Sequence, residues 1–193
     1  MQPIILGSSS PYRSELLAKL KLPFTTASPN IDESPLVGES PAQLVLRLAE
    51  NKARKVAESN LSALVIGSDQ VAVLDDEILG KPGSSDNAVA QLQAASGKTV
   101  VFLTGLALYN AANQQMQSLV EPFEVQFRTL SEQQIRRYVD LEQPLDCAGS
   151  FKSEGLGISL FSELRGSDPN SLIGLPLIRL TDMLAAQGVE VLG

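Results

Sequence analysis

The spacing of apolar residues changes repeatedly along the chain, and each change marks an element. Ile4-Ile5-Leu6 is a short apolar run stopped by Gly7-Ser8-Ser9-Ser10, which reads as a buried strand entering a loop. Ser10 then fits a helix N-cap with Pro11 at the first helical position, and Leu16, Leu17 and Leu20 form the apolar face of that helix. A second helix repeats the device: Ser40 caps, Pro41 follows, and Leu44, Val45 and Leu48 keep helical spacing up to Val56. Lys52 falls on the same stripe as those leucines, so its ammonium either snorkels to water or faces a cleft.

The middle of the chain returns to strands. Leu64-Val65-Ile66 runs through Gly67-Ser68 to end at Asp69, and Val71 to Leu74 follows it into a hairpin turn at Asp75-Asp76. A carboxylate at a strand end belongs at a cleft. Ser85 to Ser96 reads as a third helix stopped by Gly97, with Val89 and Leu92 inward. Thr99–Leu103, Gly105–Tyr109 and Met116–Val120 are strand candidates, with a hairpin loop over Asn110–Asn113. Phe123, Val125 and Phe127 alternate with polar residues as in a half-buried strand. Ser131 and Gln134 form a capping box for a helix through Tyr138 and Val139 that ends before Pro144, and a last helix covers Leu177–Ala186 before Gly188.

Helices between strands, with at least one hairpin, predict an α/β fold: a mixed sheet with flanking helices, in one domain over residues 1–193 with room for two lobes. Ligands of such sheets bind at strand ends. The loops to watch are Gly7–Arg13, Gly67–Gln70, Gly80–Pro82 and Ser150–Gly157.

Composition removes many kinds of chemistry. The chain has no histidine, which excludes Ser-His-Asp and Cys-His triads, imidazole metal ligands and imidazole acid-base catalysis. Its single cysteine, Cys147, cannot form an intrachain disulfide and reads as a small buried hydrophobe, consistent with a cytoplasmic location. No apolar run approaches the roughly 20 residues that span a bilayer, so no membrane partner is expected. A formal charge of −7 argues against a nucleic-acid polymer as partner. A polyanionic small molecule must then meet a local basic cluster, a divalent metal, or both.

Two phosphate motifs fail on inspection. Gly97-Lys98-Thr99 resembles the end of a P-loop, but Leu92 stands where that loop needs glycine, and the helix precedes the motif. Gly7-Ser8-Ser9-Ser10 lacks the later glycines of a dinucleotide fingerprint. Strand, small-residue loop and helix N-terminus still make an anion cradle.

Taken together, Gly7-Ser8-Ser9-Ser10-Pro11-Tyr12-Arg13, Asp32-Glu33, Lys52, Gly67-Ser68-Asp69-Gln70, Gly80-Lys81-Pro82 and Gly149-Ser150-Phe151-Lys152-Ser153-Glu154-Gly155 resemble the Maf nucleotide pyrophosphatases along the whole chain. The resemblance implies a fold like that of the inosine triphosphate pyrophosphatases, a cleft between two lobes and a homodimer. It also implies cleavage of a nucleoside triphosphate to monophosphate and diphosphate with a divalent metal, Mg²⁺ or Mn²⁺. It makes Asp69 the base that activates water and gives Glu33, with Asp69, to the metal. Ser8, Arg13, Lys52, Lys81 and Lys152 go to the phosphates. Taken alone, Asp69 also fits a turn aspartate, Glu33 a solvated loop acid, and each lysine an ordinary surface cation.

Tyr12, Gln70 and Glu154 resemble the branch that acts on 7-methyl-GTP, where the dTTP and UTP branch tends to carry Arg, Thr and Gln. The physics agrees, because N7-methylation makes guanine cationic: Tyr12 offers it an aromatic face, and Glu154 can accept from its N1 and N2 donors. Two alternatives remain at this stage: the dTTP/UTP pyrophosphatase activity, and a nucleotide-binding regulator of septum formation that binds without turnover.

Overall fold

A computed structural model describes residues 2–193. Seven strands form one mixed sheet: β1 (Ile4–Gly7), β2 (Thr25–Thr26), β3 (Leu64–Leu74), β4 (Glu77–Leu79), β5 (Thr99–Asn110), β6 (Gln115–Phe127) and β7 (Phe161–Arg165). Their order is β2-β1-β3-β5-β6-β7, with β4 beside β3. β1 pairs in parallel with β2 and β3, whereas β3–β4 and β6–β7 are antiparallel. The helices are α1 (Pro11–Ala18), α2 (Pro41–Ala57), α3 (Ser85–Ala95), α4 (Glu132–Glu142), α5 (Pro169–Ile173) and α6 (Leu177–Ala186). The expected mixed sheet with flanking helices is what the chain forms. Among the described residues, no helix is long and apolar enough to cross a membrane.

The chain divides into two compact units. The first comprises the chain up to Asp69, Thr104–Glu121 and Asp168–Gly193; the second comprises Gln70–Leu103 and Pro122–Ser167. In the first, the period of two along each strand sorts side chains to opposite faces. Ile4 and Leu6 of β1, Leu64 and Ile66 of β3, and Leu106 and Leu108 of β5 pack with Leu16 and Leu17 of α1 and Leu177, Leu180 and Leu184 of α6. Ile5, Val65 and Ala107 point the other way, onto Ala49, Ala53 and Val56 of α2. Each fully buried Leu or Ile contributes about 1.5–3 kcal/mol, so the two faces together fix the strand register.

The second unit has an aromatic core. Phe151 meets Phe102, Phe127 and Phe161 edge-on, with ring centroids 5.2, 5.6 and 4.7 Å away. Edge-to-face pairs satisfy the ring quadrupoles and add about 0.5–1.5 kcal/mol each beyond burial. Ile135 and Tyr138 of α4 and Leu92 of α3 are buried in the same unit.

Several boundaries differ from the sequence reading. β3 does not stop at Asp69 but continues to Leu74, which puts Asp69 in mid-strand. The two candidates over 99–109 are one strand, as are those over 116–127. Strands β2, β4 and β7, helix α5 and the 3-10 turns at Ala148–Ser150 and Leu156–Leu160 carry too little periodicity to be read from the sequence. The Asp75-Asp76 hairpin is present between Leu74 and Glu77, and both aspartates have positive φ, as a two-residue turn of that hand requires. Helix caps agree closely: Ser10, Ser40 and Ser131 each accept from a backbone N–H three residues on, the last two within full capping boxes.

Candidate active site

Gly67 and Asp69 lie two apart on β3 and face α2 together. A Cβ on Gly67 would stand 2.0 Å from the Ala49 carbonyl oxygen, and one on Gly105 of β5 would stand 2.1 Å from that of Val45. The α2 backbone therefore rests directly on the sheet at two glycines. One helical turn beyond Ala49, Lys52 comes down over Asp69, and its ammonium donates to Asp69 Oδ1 at 2.7 Å. The same Nζ is 2.8 Å from Glu33 Oε1. Lys52 is 4% exposed and Asp69 8%, so the ammonium faces inward rather than snorkelling. A buried charge needs a partner, and here one cation serves two carboxylates.

Ser68 points to the opposite face. Its Oγ lies 2.9 Å from the carbonyl oxygens of Gly105 and of Gly174, in the turn between α5 and α6. Arg13 Nε donates to the same Gly174 oxygen at 2.9 Å. Desolvation draws the Arg13 guanidinium below its ordinary pKa, while the nearby carboxylates of Asp69 and Glu33 push it back up. Arg13 thus shares an electrostatic neighbourhood with that pair. β1 runs parallel to β3 with Gly7 opposite Gly67, so Ser8 leaves the sheet alongside Ser68. Ser8 is buried, and its Oγ accepts from the Ser10 amide at 3.1 Å, closing the loop into α1. Tyr12 is half-buried in the first turn of α1.

The first unit therefore gathers Ser8, Tyr12, Arg13, Glu33, Lys52 and Asp69. Gln70, Lys81, Lys152 and Glu154 belong to the second. Gln70 is half-buried in β3, and Lys81 is exposed beyond β4. Lys152 is tied to the last turn of α4: its Nζ donates to the Glu142 carbonyl at 3.1 Å, and its amide donates to the Tyr138 hydroxyl at 3.0 Å. Glu154 is exposed, two residues further along that loop. Glu142 Oε1 accepts from the Leu156 amide at 2.9 Å, and a Cβ on Gly155 would meet that carboxylate at 3.0 Å. Burial, first of all, raises the Tyr138 phenol well above its usual range. Cys147 is half-buried rather than fully buried, and burial together with the Asp146 carboxylate pushes its thiol up to about 12. A thiol held protonated in this way is a poor nucleophile.

Sequence reasoning missed three supports. Asp168 is fully buried: Oδ1 accepts from the amide and side chain of Asn170, and Oδ2 from the Ile178 amide at 2.8 Å, so one carboxylate caps α5 and α6. The Ser-Asp-Pro spelling at 167–169 carried that signal, as an N-cap before proline. Ser68 and the Arg47–Glu39 pair gave no pattern of their own.

Glu33 and Asp69 are the carboxylates here that could hold a divalent cation of the magnesium type, in the place that the Lys52 ammonium takes in this structure. Such an ion takes one or two protein carboxylates and fills its sphere with water and substrate phosphate. Among the described residues there is no group of three or more His, Cys, Asp or Glu that could hold a metal ion.

The mixed sheet and its helices define an α/β protein of the same fold as the Staphylococcus aureus Ham1 protein. The two match with a TM-score of 0.55 over 96% of this chain and 100% of that one, at 12% identity. The chain belongs to the Maf family: the model described as Maf-like protein matches residues 3–187. Its relatives include proteins named 7-methyl-GTP pyrophosphatase from Methylobacillus flagellatus, 60% identical over 100% of both chains, and from Vibrio vulnificus, 59% identical over 98% of this chain and 97% of that one. A protein of the same name from Pseudomonas aeruginosa is 60% identical over 99% of this chain and 100% of its own.

Proposed function

We propose that the chain is a cytoplasmic nucleoside triphosphate pyrophosphatase that hydrolyses 7-methyl-GTP to 7-methyl-GMP and diphosphate. The observation that carries this reading is identity near 60% over full length to several proteins named for that activity. Water supplies the oxygen that ends on the α phosphorus, and the bond broken is the α–β phosphoanhydride. Asp69 takes the water proton, since it is a buried carboxylate with no imidazole in the chain to do so. Lys52 holds Asp69 in place and neutralises charge beside it. Arg13, Ser8 and the α1 N-terminus receive phosphate oxygens in the first unit; Lys81 and Lys152 have that role in the second.

Glu33 and Asp69 would hold Mg²⁺ or Mn²⁺, which when bound neutralises phosphoryl charge as a Lewis acid. Tyr12 stacks on the cationic base, Glu154 accepts from its N1 and N2 donors, and Gln70 completes the discrimination. Such an enzyme acts as a homodimer on a small nucleotide.

The test is diphosphate release from 7-methyl-GTP, GTP, dTTP and UTP at one enzyme concentration, with wild type and Asp69→Asn. The expected result is fastest turnover of 7-methyl-GTP, and loss of turnover with nucleotide binding retained in the variant. Faster turnover of dTTP or UTP would move the chain to the pyrimidine branch. Binding without turnover by wild type would make it a regulator.

A further inference from the structure

We propose that Arg47 is a positioning residue that acts through Glu33: its guanidinium clamps the loop after β2 so that Glu33 reaches the Lys52 ammonium that Asp69 also holds. The inference rests on the proposed hydrolysis and deepens it. From Ala27 to Ser40 the chain has no regular element, and Leu36 and Val37 at its tip are exposed. Such a loop has little apolar burial to hold it. Glu33 is carried on it, with its side chain 56% exposed, yet its carboxylate is held 2.8 Å from the buried ammonium of Lys52.

The hydrogen bonds show what fixes it. Asp32 Oδ1 accepts from the Ser34 amide at 2.9 Å, forming a tight turn with Glu33 at its centre. Arg47, on α2 and one and a half turns before Lys52, donates through Nη2 to the Ser34 carbonyl at 3.0 Å. The same guanidinium forks onto Glu39, Nε to Oε1 at 2.5 Å and Nη2 to Oε2 at 2.8 Å. Glu39 Oε2 in turn accepts from the Leu36 amide at 3.0 Å. One guanidinium thus ties both ends of the segment 34–39 to the helix that carries Lys52. The Arg47 fork, ahead of the Leu36 amide, lowers the Glu39 carboxyl to about 2, so the clamp stays charged across the working range of an enzyme. Lysine could not replace it, because an ammonium lacks the planar fork that spans two oxygens.

The experiment is a double-mutant cycle between Arg47→Met and Glu33→Gln, read as kcat/KM for 7-methyl-GTP, beside amide hydrogen exchange at Leu36. A misplaced site group can cost about 10²-fold in rate, so each single variant is expected to lose activity on that scale. The double variant should be no slower than Glu33→Gln alone, since the clamp has nothing left to position. Exchange at Leu36 should rise in Arg47→Met, and also in Glu39→Gln, which leaves α2 untouched. Additive losses in the cycle, or unchanged Leu36 exchange in both variants, would overturn the proposal. If wild type releases no diphosphate from 7-methyl-GTP, the proposed function fails on its own account, and exchange at Leu36 still decides whether the clamp exists.

Discussion

At the scale of single residues, Lys52 is the centre on which the site depends. It neutralises Asp69 within the protein and Glu33 at its edge, with contacts of 2.7 and 2.8 Å. Lys52→Met keeps the length of the side chain and its packing on α2 but removes the charge, leaving the Asp69 carboxylate buried without its hydrogen-bonded ammonium. Breaking a buried pair from one side costs about 3–5 kcal/mol. The urea midpoint of Lys52→Met is therefore expected to fall well below that of wild type, and below that of Asp69→Asn, which takes away the buried negative charge instead. Equal midpoints for the two variants would mean that Arg13 or solvent, not Lys52, balances Asp69. The sequence pointed to Lys52 because a lysine on a leucine stripe is out of place, but which way it turned depended on a carboxylate arriving from a strand far along the chain.

At the scale of elements, the decisive contact is backbone to backbone. Gly67 and Gly105 let α2 rest on β3 and β5, and that close seat sets the height of Lys52 above Asp69. Gly67→Ala would place a methyl 2.0 Å from the Ala49 oxygen, a rigid backbone atom, so the helix must lift. Overpacking of this kind costs about 1–3 kcal/mol, occasionally more, and here it also draws Lys52 away from its partner. Gly67→Ala is expected to lose both thermal stability and hydrolysis, whereas Gly80→Ala, whose Cβ meets nothing within 4 Å, should lose neither through packing. A wild-type melting temperature for Gly67→Ala would refute the close seat. The same glycine explains why the sequence put a strand end here. Gly67-Ser68-Asp69 has the spelling of a turn, because strands rarely hold three such residues in a row. β3 tolerates them only because a helix fills the glycine, two carbonyls receive the serine and a lysine meets the aspartate. Helix caps and stripes were legible because they are local; these three compensations come from α2, β5 and the α5–α6 turn, which no window along β3 contains.

At the scale of the whole molecule, net charge opposes the proposed ligand. Twenty-two acidic residues against fifteen basic ones leave −7, and no histidine can add positive charge as pH falls toward 6. A triphosphate approaching such a body is repelled at long range and must be held by local cations. In the first unit, Lys52 is already shared between two carboxylates and the Arg13 guanidinium feels the same Asp69 and Glu33 charges, so neither brings its full charge to a ligand. A divalent cation held by Glu33 and Asp69 would supply that charge, and one or two carboxylates are the protein share a magnesium-type ion usually takes. Chelation of divalent cations is therefore expected to abolish diphosphate release, with Mg²⁺ or Mn²⁺ restoring it. Glu33→Gln should raise the metal concentration for half-maximal rate by at least about 10–100-fold, the loss that follows removal of even an outer-shell partner. Titration of activity against free metal in the two proteins makes the comparison. Full activity under chelation, or identical metal curves, would leave the phosphate charge to be met by Arg13, Lys52, Lys81 and Lys152 alone, and would reassign Glu33 from the metal to the ammonium it already touches.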